Sequence, residues 1–173
     1  MAIHGGAFAS DRKSLYFSNS RFGALGHSFG GRVAARACQI EARIKACLDA
    51  DGLGPDGPIF RYEGTKLPTQ PFMWIDVVHP PPTAAQLAQY GDTVEQWEKN
   101  HEEQLLKNEK ELAELQGASY HLTVTLPGIE HFSFTDQPLI TAKTTQESDQ
   151  ATNVLNVLSE YIRGFFDKYL SNR

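Results

Sequence analysis

A chain of 173 residues with 40% hydrophobic content can build one domain around a real core. Its formal net charge of −5, with no Lys/Arg-rich run, argues against nucleic acid or an anionic membrane surface as the main partner. The apolar stretches are too short for stable membrane insertion, and Met1 to Gly6 lacks the basic-then-apolar pattern of a secretory leader. Read as a native start, that terminus points to the cytoplasm.

Residues 1–20 are Gly/Ser/Asn-rich and weakly patterned, hence mostly irregular. Arg21 to His27 is a short apolar run suited to a buried strand. From Gly30 to Ala42, the residues Val33, Ala34, Ala37, Cys38 and Ile40 recur at helical spacing. Ile44 to Leu48 is a second strand candidate, ending at Asp49-Ala50-Asp51-Gly52. Residues 52–70, rich in Gly and Pro, read as a long loop. Cys38 falls on the helix and Cys47 in the strand that follows. Without a CxxC or a Cys/His cluster they make neither a zinc site nor a redox motif, and are expected as two small buried apolar residues.

Pro71 to Val78, β-branched and aromatic, is a third strand. Pro80-Pro81-Pro82 stops it, and Thr83 is a suitable cap for a highly charged helical stretch over 84–116, broken at Gly91. Val94, Trp97, His101, Leu105, Leu112 and Leu115 form one apolar stripe along that stretch, which Gly117 ends. Tyr120 to Leu126 alternates like a strand, and Asp149 to Leu170 carries the apolar face of a C-terminal helix. Strands alternating with helices imply a single α/β domain over 1–173, with a parallel sheet and helices on its faces.

Gly26-His27-Ser28-Phe29-Gly30 matches G-x-S-x-G, with Gly31 extending it. Such a run between a strand and a helix makes a tight turn that lifts the serine hydroxyl above the sheet at a helix N-terminus. The Phe29 N–H is then placed to donate to a developing oxyanion. A serine hydroxyl needs a base, and the base an orienting carboxylate, in the chain order serine, acid, histidine. His131, in the loop after the last strand, is the expected base. Asp51, just past the second strand and followed by glycine, is the preferred acid, with Asp49 and Asp76 as alternatives.

The run from Arg21 to Gly31 resembles the elbow of platelet-activating-factor acetylhydrolase-like and dienelactone-hydrolase-like serine esterases of the α/β-hydrolase superfamily. In the first of these the acid follows the strand next to the elbow, at a spacing that Asp51, 23 residues beyond Ser28, matches. The histidine there lies in a loop followed by an aromatic and an acidic residue, as in His131-Phe132-Ser133-Phe134-Thr135-Asp136. The resemblance spans about residues 20–170 and implies hydrolysis of short or small acyl esters through an acyl-enzyme, without metal or cofactor.

Two departures stand beside it. The charged stretch over about 80–118 is long, which suggests a helical cap with Trp97 facing an acyl group; packing of that stripe on the body is the competing expectation. His27 and Phe132 are the other expected substrate contacts. The strands that usually precede such an elbow are short or missing, although His4-Gly5-Gly6 looks like an esterase oxyanion loop. A half-sheet exposes an edge, so a homodimer is expected. The alternative to an esterase is an impaired remnant of the fold, acting as a binding or oligomerisation module.

Overall fold

The computed structural model describes residues 22–52 and 66–171, together with the backbone of residues 7–8 and 15–16. Strands β1 (Ala7–Phe8) and β2 (Leu15–Tyr16) pair antiparallel as a small ribbon separate from the main sheet. Then follow β3 (Phe22–His27), α1 (Phe29–Ile40), β4 (Ile44–Ala50), β5 (Phe72–Val77), α2 (Ala84–Gln89), α3 (Val94–Ala113), β6 (Ser119–Val124), a 3₁₀ turn (His131–Phe134), α4 (Gln137–Thr141) and α5 (Thr145–Leu170).

The main sheet has the order β3-β4-β5-β6, with every neighbouring pair parallel. Parallel strands need crossovers; α1 joins β3 to β4 and α2–α3 join β5 to β6 over one face, while α5, after the last strand, covers the other. Alternation along β4 and β5 divides the core in two. Cys47, Phe72 and Trp74 face α1 and α3, joining Ala35, Cys38, Leu112 and Leu115. Ala46, Leu48, Ala50 and Ile75 face α5, joining Val154, Leu158 and Phe165. β3 forms one edge of this sheet; its Leu25 and the α1 residues Phe29, Val33 and Ile40 are exposed.

The alternating α/β architecture expected from the sequence is present, and two element boundaries differ from expectation. β4 runs two residues further than its apolar core, through Asp49 and Ala50, because both are buried inside the sheet. α5 begins at Thr145 rather than near Asp149: the Thr144 side chain accepts from the Glu147 N–H, and Glu147 bonds back, forming a capping box. The charged stretch after β5 is the crossover to β6, broken at Gly91 (φ 74°). The lower half of α3 packs on the sheet through Leu105 and Leu112, and Leu115, just past its end, joins them. Among the described residues no helix is long and apolar enough to cross a membrane.

The cysteines are the clearest correction. Expected as separate buried residues, Cys38 and Cys47 form a disulfide, with Cα atoms 6.3 Å apart. α1 turns Cys38 towards the same sheet face on which Cys47 lies, within the separation a disulfide can bridge. Closing so short a loop stabilises by about 2.5 kcal/mol. A Cys38→Ala/Cys47→Ala variant is therefore expected to lose roughly 2–3 kcal/mol of unfolding free energy in a urea titration. A loss below about 0.5 kcal/mol would show that the bridge contributes nothing.

Candidate active site

β3 delivers the chain to Ser28, whose backbone (φ 57°, ψ −131°) lies outside the regions that L-residues favour. Such a conformation costs about 1–3 kcal/mol and persists only where its surroundings fix it. Two backbone bonds do so: Ser28 N–H donates to Ala50 O at 2.9 Å, and Gly31 N–H donates to Ser28 O at 2.8 Å. The glycines around it are not equivalent. A Cβ on Gly26 would run into the Gly30 carbonyl, and one on Gly31 into the Asp49 carboxylate, whereas one on Gly30 would meet nothing within 4 Å.

Asp51 lies just past β4, with its N–H donating to Ile75 O at 2.7 Å and φ at 53°. Its buried carboxylate has three donors. His131 Nδ1 bonds Oδ2 at 2.6 Å, His79 Nε2 bonds Oδ1 at 2.8 Å, and Val77 N–H reaches Oδ1 at 3.3 Å. The second ring nitrogen of His131 lies 3.0 Å from Ser28 Oγ. Because a carboxylate only accepts, the ring proton of neutral His131 sits on Nδ1, and Nε2 presents a lone pair to the serine hydroxyl.

The His131 loop is held from two sides. Glu130 and Ser133 cap the 3₁₀ turn reciprocally, and the His27 Nε2–H donates to the His131 carbonyl at 2.8 Å. Burial holds the His27 imidazole below its ordinary pKa, opposed by that backbone bond, so the ring stays neutral. It stacks on Phe134 at 5.6 Å and tilts against His131 at 4.5 Å. Phe132 stands edge-on to His131 at 5.2 Å and is half exposed.

Of the three acids considered, only Asp51 is bonded to His131. Asp49 faces the start of α1, fully buried; its Oδ1 accepts from Gly52 N–H at 2.7 Å and its Oδ2 has no partner. Burial pushes its carboxyl up to about 7, against the Gly52 hydrogen bond. Asp76 bonds His121 Nε2 at 3.2 Å through Oδ2. His27 and Phe132 therefore join Ser28, Asp51 and His131, while Trp97 lies outside the group, half-buried and stacked on His101 at 4.8 Å. The Phe29 N–H is the first amide of α1. His4-Gly5-Gly6, the expected oxyanion loop, lies outside the described residues.

His79 was not singled out from the sequence. The signal available was positional: residues just past the C-terminal ends of neighbouring parallel strands converge, and His79 follows β5 as Asp51 follows β4. Both residues also line a cavity of about 270 Å³ between the sheet and α3, walled by Trp74, Asp76, His101 and His121. Asp51, His79 and His131 each offer one ligand atom, all within 4.8 Å of one another, so this trio is the group in the described residues that can hold a metal ion.

No protein-family model matches the chain, and no curated protein matches it significantly. Two solved structures are similar. A ferulic acid esterase from Streptomyces cinnamoneus superposes with a TM-score of 0.55 at 22% identity, covering 92% of this chain and 43% of that one. A dienelactone hydrolase from Anabaena variabilis gives a TM-score of 0.41 at 16% identity, covering 85% of this chain and 49% of that one. The chain spans less than half the length of either. The likeness to the first establishes the fold as α/β-hydrolase-type.

The glycine geometry makes a sharp distinction within one motif. Gly26→Ala and Gly31→Ala are expected to cost about 3 kcal/mol or more, as overpacking against backbone and a buried carboxylate does. Gly30→Ala is expected to be neutral or to stabilise by up to about 1 kcal/mol through helix propensity. Chemical denaturation of the three variants checks this, and equal losses at all three positions would refute it.

Proposed function

We propose that this chain carries the catalytic residues of a serine hydrolase acting on carboxylic esters with short or small acyl groups. One observation supports the reading above others: an unbroken chain of hydrogen bonds from Ser28 Oγ through His131 to the buried Asp51. In this mechanism Ser28 Oγ attacks the acyl carbon while His131 Nε2 takes its proton. The imidazolium, held by Asp51, then returns that proton to the leaving alkoxide, giving alcohol and an acyl-serine. Water, deprotonated by the same imidazole, attacks the acyl-serine and releases the acid and Ser28.

The Phe29 N–H, at the positive end of the α1 dipole, stabilises the tetrahedral oxyanion. Phe29 and Phe132, both with exposed rings, provide apolar contact for the acyl group, and His27 acts by holding the His131 loop. The reaction as drawn needs no cofactor. The ferulic acid esterase that shares the fold is named as an esterase, which agrees with this chemistry.

The test is covalent labelling. A fluorophosphonate probe is expected to modify Ser28 in the folded chain, located by mass spectrometry, and not to modify the Ser28→Ala variant. With p-nitrophenyl acetate, Ser28→Ala and His131→Ala are expected to lower kcat by about 10⁴- to 10⁶-fold, and Asp51→Asn by about 10⁴-fold. A folded chain that neither takes the label nor hydrolyses the ester is instead a non-catalytic binding module.

A further inference from the structure

His79 gives Asp51 a second imidazole, and with it a donor set that the serine chemistry does not need. Two ring nitrogens, from elements 52 residues apart in sequence, point at the two oxygens of one buried carboxylate. Two imidazoles and a carboxylate are the ligands that zinc and its neighbours in the first transition row favour, whereas calcium and magnesium prefer all-oxygen sets. We propose that Asp51, His79 and His131 form an inhibitory site for a divalent transition-metal ion of the zinc class.

The geometry allows it with a small adjustment. Zinc holds such ligands at about 2.0–2.2 Å, which separates them from one another by roughly 3.3 Å in a tetrahedron. The present contacts of 2.6 and 2.8 Å therefore need to open by about 0.7 and 0.5 Å, and the two ring nitrogens, within 4.8 Å of each other, to come to the same spacing. The carboxylate stays in place, only 2% exposed and held by Val77 N–H, while the His79 and His131 side chains, 43% and 32% exposed, have room to withdraw. Asp51 and His79 also line the cavity between the sheet and α3, whose wall does not include Ser28.

The consequence for catalysis follows from the tautomer, and rests on the serine-hydrolase reading. A metal ion on His131 takes the Nδ1 lone pair. The one proton of the neutral ring then resides on Nε2, which faces Ser28 as a donor. In that state the imidazole cannot accept the serine proton, so the ion switches the base off without blocking the substrate's approach. Removing the ion returns the proton to Nδ1.

The experiment combines binding with rate. Zinc chloride is titrated into the folded chain by calorimetry, Co²⁺ binding is read from its visible absorption, and p-nitrophenyl acetate hydrolysis is measured with and without zinc, then after EDTA. One Zn²⁺ per chain at micromolar concentration is expected, with loss of hydrolysis that EDTA reverses and no effect of Mg²⁺. His79→Gln, which retains a donor for Asp51 but is a poor zinc ligand, is expected to weaken zinc binding by about 100-fold or more, beyond what loss of an outer hydrogen bond costs. His131→Gln, with its fold checked by circular dichroism, is expected to do the same.

Unchanged zinc affinity in either variant, or no binding to the parent chain, overturns the inference. Hydrolysis indifferent to zinc overturns it as well, while leaving the hydrolase reading intact. Zinc binding that depends on His79 in a chain without hydrolytic activity has the opposite meaning: the ligand set stands and the esterase proposal fails.

Discussion

One buried carboxylate ties together the parts of this molecule that matter for chemistry. Asp51 receives His131 from the loop after β6, His79 from the end of β5, and the Val77 amide from β5 itself. Its own amide is bonded to Ile75. A carboxylate taken out of water is tolerated only when its lone pairs are used, and here three donors use them. Ser28, 23 residues before Asp51, joins this arrangement through the imidazole of His131, whose loop is anchored by His27 and by its own capping turn, and through the bond from its own amide to Ala50 O.

Beneath that arrangement the elbow is built by close backbone approach. β3 and α1 meet so tightly that no side chain fits at position 26, and the helix start rests directly on Asp49. Asp49 thus has a structural task distinct from that of Asp51 two residues on. One of its oxygens closes the turn at Gly52, and its other oxygen faces the crowded start of α1 with no partner. Alternation alone would put residues two apart on one face; the two acids part because β4 ends at Ala50 and Asp51, with φ at 53°, turns out of the strand.

Much of this was legible in the sequence, for identifiable reasons. The strand–turn–helix with its glycines is a local pattern, and local patterns survive without knowledge of the fold. His131 and Asp51 were found by their place beyond strand ends, which parallel topology makes a meeting point. His79 obeys the same rule, but the proline run directly after it carries the stronger local signal, that of a strand's end. The disulfide was not legible because it depends on the rotation of α1 over the sheet, a tertiary quantity that the spacing of Cys38 and Cys47 does not contain. Trp97 shared a helical stripe with Leu105, Leu112 and Leu115, yet only the leucines reach the core, while Trp97 stacks on His101.

The proton on the His131 ring tests the central claim most directly. Nitrogen-15 correlation spectra of the imidazole side chains near neutral pH are expected to show His131 protonated at Nδ1 and bare at Nε2. In Asp51→Asn that tautomer is expected to be lost. A His131 ring carrying its proton on Nε2 in the parent chain, or one indifferent to the Asp51 substitution, would contradict the account.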